Sequence, residues 1–168
     1  ARQLIKDSKA PRELFWAGVF VNPNPVELIE IATTLRLQIA QLHGEETPDF
    51  VLDLKHRLPK DIAVWKAMRV ANADDLEQLK KYQCDVWLVD AKVAGARGGS
   101  GKTFDWSILQ HLRRPTLLAL SGGLNPTNVA QAVRIVAPDW VDVASGVESA
   151  PGVKDAALIA AFVRAARS

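Results

Sequence analysis

The chain has 168 residues, with 21 Lys and Arg against 19 Asp and Glu and a formal net charge of +2. A hydrophobic fraction of 48% is enough for one folded domain with a real core and excludes a disordered chain. Basic residues are mixed with acidic ones, which excludes a dedicated nucleic-acid surface. No apolar run reaches membrane-span length, and the single Cys84 excludes an intrachain disulfide framework and suits a reducing cytoplasm.

Residues 1–9 read as the end of a helix. Residues 16–21 are short and apolar throughout, which predicts a strand buried on both faces. From Pro25 to Leu37 the apolar residues Val26, Leu28, Ile29, Ala32 and Leu35 recur at helical spacing. The alternation then continues. Strands are predicted at 39–42, 64–70, 86–89, 116–120 and 140–143, and helices at 48–58, 73–82, 104–112, 125–136 and 154–167. Short, non-alternating apolar strands are those of a parallel sheet covered on both faces. Six βα units in succession predict an α/β protein, either a doubly wound sheet or a (β/α) barrel. Pro and Gly fall only at the joints, so residues 1–168 read as one domain.

In such folds the loops after the strand C-termini carry the chemistry. These joints hold Asn22, the QLHG stretch 41–44, the Lys66–Arg69 stretch, Asp90, the SGGL stretch 121–124 and the ASGVE stretch 144–148. Residues 94–103, AGARGGSGKT, outline a nucleotide phosphate loop, but Ala96 stands where that pattern requires glycine. The better anion site is the pair of small, Gly-rich loops at 121–124 and 144–148, whose backbone N–H groups can hold a phosphate. Asn125-Pro126 is expected to open the helix that follows. Strand alternation places Lys66 and Met68 on one face and Arg69 on the other. Lys66 and Arg69 can both be plain surface charges; at most one points inward, and Arg69, nearer the strand end, is favoured as the group that meets an anionic substrate. His43 fits the same end of its strand. Lys102, His56 and His111 read as solvent-exposed, and Glu148 as a loop cap.

The stretches GVFVN (18–22), QLHG (41–44), WKAMRV (65–70), LVDAK (88–92), GGSGKTFDW (98–106), SGGLNPTNV (121–129) and VDVASGVESAPGVKD (141–155) come in one order. In order and spacing this set resembles the phosphoribosylanthranilate isomerase family of tryptophan biosynthesis. The resemblance implies a (β/α)8 TIM barrel and a cofactor-free, metal-free Amadori rearrangement of N-(5-phosphoribosyl)anthranilate to the aminoketose. It implies that Asp90 is the general acid, and that Gly122, Gly123, Ser145 and Gly146 hold the phosphate. It makes 98–106 a substrate-covering loop rather than a nucleotide site.

One part of the family pattern has no counterpart. The family's base is a cysteine in a Lys-Ile-Cys-Gly stretch on its first strand, and Cys84 lies before a strand at the wrong end. The expectation is therefore an incomplete barrel of six βα units, family strands three to eight, lacking the N-terminal β-α-β portion and inactive alone. Its partner is a small phosphorylated substrate, with no nucleic acid and no membrane. The family is usually monomeric or dimeric, and this chain can pair through open strand edges or with the missing segment. The competing readings are a non-catalytic phosphate-binding or assembly fragment and, more remotely, a P-loop nucleotide-binding protein.

Overall fold

The computed structural model describes residues 14–90, 105–110 and 112–168. The expected helix end at 1–9, the glycine loop 94–103 with Lys102, and His111 lie outside the described residues. Six strands form one sheet in chain order, β1 to β6, and a separate hairpin holds β7 and β8. The chain packs as two compact units. One comprises the described residues up to Ala67 together with Lys81–Val86, the other Met68–Lys80 with Trp87–Ser168. The division cuts through strands rather than a linker, so no composition shift marks it.

In the first unit, β1 (Ala17–Phe20), β2 (Ile39–Leu42) and the start of β3 (Ala63–Arg69) run parallel. Ala17 lies beside Ile39, which lies beside Ala63, and Phe20 lies beside Leu42, which lies beside Lys66. Helix α1 (Pro25–Leu35) starts where Asn24 Oδ1 accepts from the N–H groups of Val26 and Glu27, with proline preset at the first helical position. It ends where Arg36 turns left-handed. Helix α2 (Pro48–Arg57) repeats the design with Thr47 as cap. The helices bury Leu28, Ala32, Val51 and Leu54 completely. In β2 and β3 consecutive residues are buried, Ala40 to Leu42 and Val64 to Ala67, as a sheet covered on both faces demands. Strand β1 does not follow this rule: Val19 within it, and Phe15 and Val21 on either side of it, are exposed.

The second unit carries the end of β3, then α3 (Ala73–Leu79), β4 (Val86–Asp90), α4 (Ser107–Gln110), β5 (Leu117–Ser121), α5 (Val129–Val136) and β6 (Trp140–Val141). A 3-10 turn (Ser145–Val147), the hairpin β7 (Glu148–Ala150) and β8 (Val153–Lys154), and α6 (Ala156–Ala166) complete it. Asn72 and Asp75 form a reciprocal capping box for α3. Strands β5 and β6 are parallel, with Ala119 beside Trp140 and Leu120 beside Val141. Trp87, Leu88 and Val89 of β4 are fully buried.

Two expectations need correction, and one element was not foreseen. Helix α5 starts at Val129, not at Asn125-Pro126, because side chains take over the first turn. Asn125 Oδ1 accepts from Thr127 N–H and Asn128 Oδ1 from Asn125 N–H, a turn that competes with helix. The hairpin β7–β8 was not expected; it closes through Pro151-Gly152, with Gly152 at φ 78°. Lys66 is no surface charge, since its side chain is 2% exposed.

Candidate active site

The phosphate-type loops of the second unit lie side by side. Gly122 and Gly123 follow β5 with φ of 91° and 68°, a left-handed backbone that favours glycine. Asn128 Nδ2 donates to the Gly123 carbonyl at 3.0 Å, tying that peptide back onto the loop. Across from it, Gly146 packs so closely on the Leu124 carbonyl that a Cβ there would collide with main chain. Ser121 Oγ donates to Asp142 Oδ2 at 2.9 Å, a second link between the ends of β5 and β6. The four residues expected to hold phosphate, Gly122, Gly123, Ser145 and Gly146, thus come together on adjoining loops.

The stretch after β6 is braced by its own side chains. Lys154 Nζ donates to the Ala144 carbonyl and to Glu148 Oε1, both at 2.7 Å. Glu148 Oε2 also accepts from Gly152 N–H at 3.1 Å. Its carboxyl is held below the usual range, chiefly by the hydrogen bond from Lys154. Asp155 caps α6 through Leu158 N–H, while its own N–H returns to the Val147 carbonyl. Glu148 therefore caps its loop as the sequence suggested. Asp142, unlike Glu148, was not anticipated; its signal was its place at a strand end.

Asp90 is the last residue of β4 and is half-buried. Its carbonyl accepts from Val70 N–H, which fixes the main chain, while Oδ1 finds no hydrogen-bond partner among the described residues. The buried indole N–H of Trp106 is also unpaired among the described residues. Arg69, on the same unit, ends β3 with its side chain exposed.

In the first unit, His43 follows β2; its side chain is exposed and its imidazole meets the amide of Gln41. Gly44 sits against Asn22, whose N would lie 2.6 Å from a Cβ at that position. Glu46, which the sequence reading passed over, is 5% exposed and pairs with Lys66 at 2.7 Å. Burial alone would raise the Glu46 carboxyl. Hydrogen bonds from Lys66 and from Asn22 N–H, with the Lys66 charge, hold it instead below its usual range. His56 is exposed on α2. Cys84 is buried before β4, and burial pushes its thiol up to about 11.

Comparison with known proteins decides what this geometry belongs to. The family model described as N-(5'-phosphoribosyl)anthranilate (PRA) isomerase matches residues 1–165. The chain belongs to the PRA isomerase family. It is 43% identical over 153 residues to the PRA isomerase of Zymomonas mobilis subsp. mobilis, covering 89% of this chain and 72% of that protein. To the Thermotoga maritima PRA isomerase it is 44% identical over 158 residues, covering 94% of this chain and 75% of that one. A crystal structure of the Thermotoga maritima enzyme matches with a TM-score of 0.84 at 39% identity, over 99% of this chain and 78% of that chain. Another PRA isomerase structure matches with a TM-score of 0.76 at 35% identity, over 99% and 77% of the two chains. It holds reduced 1-(o-carboxyphenylamino)-1-deoxyribulose 5-phosphate. The fold is accordingly the α/β, TIM-barrel-like fold of the PRA isomerases.

Proposed function

We propose that this chain acts as a PRA isomerase, converting N-(5'-phosphoribosyl)anthranilate, an aminoaldose, to 1-(2-carboxyphenylamino)-1-deoxyribulose 5-phosphate. The reaction is an internal redox exchange, so it needs no outside oxidant or reductant. An acid protonates the furanose ring oxygen as the ring opens to an imine. A base then removes the proton at C2, and the enol that results becomes the ketose. Asp90 is the acid: its Oδ1, unpaired among the described residues, stands at a strand end where a substrate oxygen would meet it. Backbone N–H groups of Gly122, Gly123, Ser145 and Gly146 hold the phosphate, and His43 and Arg69 are the further substrate contacts. The observation that carries the reading is the adjoining pair of glycine loops after β5 and β6 in a chain of this family.

We assign the base to none of these 168 residues. Cys84 does not serve, because burial holds its thiol protonated and it lies before its strand rather than after it. In our reading these residues are family strands three to eight. The resemblance puts the base on a Lys-Ile-Cys-Gly stretch, which these residues do not carry. The test is turnover of PRA by this chain with and without a supplied peptide carrying that stretch. Turnover is expected only with it, and Asp90→Asn in the combined form should lower kcat by about 10²–10⁴-fold. Full turnover by Asp90→Asn would remove Asp90 from its role.

A further inference from the structure

Lys66 and Glu46 form an ion pair whose side chains are each 2% exposed. Burying two charges costs several kcal/mol per ion, and apolar residues of similar volume often replace such a pair with no loss of stability. Stability alone therefore does not account for it. What the pair does beyond pairing is grip main chain. Lys66 Nζ donates to the Gly44 carbonyl at 2.7 Å and to Glu46 Oε2 at 2.7 Å. Glu46 Oε1 accepts from Asn22 N–H at 2.9 Å and from Gly44 N–H at 3.1 Å. Gly44 is thus held at both its N–H and its carbonyl.

The held backbone is one that would not adopt this conformation unaided. Asn22 has a φ of 47°, in the left-handed region, and its Oδ1 accepts from Glu45 N–H at 2.7 Å. Tyr82 closes the arrangement from behind: its hydroxyl donates to the Glu46 carbonyl at 2.9 Å, and the Lys66 ammonium stands 5.7 Å from its ring centre. Asn22, Gly44 and Glu46 lie after the C-terminal ends of β1 and β2, Lys66 lies on β3 and Tyr82 before β4, and His43 is the residue just before the gripped glycine.

We infer that Glu46 and Lys66 are positioning residues, which fix the Gly44 and Asn22 backbone and so set the pose of the His43 side chain toward substrate. The inference rests on the isomerase reading. Both side chains are sealed from solvent, so they act through the peptide and not by touching the substrate.

The test uses a form of the enzyme active on PRA, with K66M, K66R and the apolar pair E46L/K66M. K66M should raise KM for PRA roughly tenfold with kcat near wild type, the mark of a lost binding contact rather than a lost chemical group. K66R, which can still donate to both acceptors, should recover most of that loss. E46L/K66M should melt near the wild type yet keep the raised KM, a split that a purely structural pair would not give. A second readout is the His43 ring proton signal in solution NMR, expected to be single in the wild type and shifted or broadened in K66M and in E46L/K66M. Wild-type KM in E46L/K66M, or an unmoved His43 signal in K66M, would overturn the inference. If the wild type neither turns over nor binds PRA, the isomerase reading falls, while the His43 signal still decides the positioning.

Discussion

At the scale of single residues, the first unit gives up its acid sensitivity through Glu46. In the fold its carboxyl is held below the ordinary value of 4.5. The charged form is therefore favoured in the native state. Its contribution is fully present above the unfolded chain's value and is lost as pH falls through the lower, folded one. The urea midpoint should drop on acidification below about pH 4.5, and Glu46→Gln should flatten that drop while lowering stability at pH 7. A steep acid limb unchanged in Glu46→Gln would assign the sensitivity to other carboxylates. Gly44 answers to a different cause. A Cβ there meets Asn22 N at 2.6 Å, and the obstacle is main chain that cannot rotate away. Gly44→Ala should therefore cost about 1–3 kcal/mol in urea unfolding. Much of this was hidden in the sequence. Glu46 sits in an ordinary-looking HGEET stretch, and nothing local says that its partner lies 20 residues away on β3.

At the scale of elements, one device recurs where strands begin. Gln38, just before β2, accepts through Oε1 from Trp16 N–H at 2.8 Å, just before β1. Asp85, before β4, accepts from Val64 N–H in β3 at 2.8 Å, and Asp139, before β6, accepts from Leu118 N–H in β5 at 2.8 Å. Each side chain ties the start of one strand to its parallel neighbour, at the end away from the candidate site. Asp85 also pairs with Lys55 on α2, and Asp139 with Arg114, each at 2.7 Å. Asp85→Ala and Asp139→Ala should each cost about 1–2 kcal/mol in urea unfolding, with Asp90-dependent turnover at 25 °C little changed. Lost turnover without lost stability would show that these ends bear on chemistry. The βα order, the helix starts at Pro25, Pro48 and Ala73, and the two glycine loops were legible because apolar period and the placing of proline and glycine are local. The turn at 125–128 was not, because asparagine favours both a cap and a competing turn. The fate of Lys66 was not legible either: strand alternation gave its face but not the Glu46 carboxylate, 20 residues away, that pairs with it.

At the scale of the molecule, the account proposed above is that the phosphorylated aminoketose is held by the backbone at 122–123 and 145–146, on the paired loops after β5 and β6. The measurement that tests this most directly is a titration of the ¹⁵N-labelled chain with reduced 1-(o-carboxyphenylamino)-1-deoxyribulose 5-phosphate, read amide by amide and without Mg²⁺. The account predicts that the largest shifts fall on Gly122, Gly123, Ser145 and Gly146, and that they survive Lys102→Ala. Shifts confined to residues 94–103, dependent on Mg²⁺ and lost with Lys102→Ala, would contradict it.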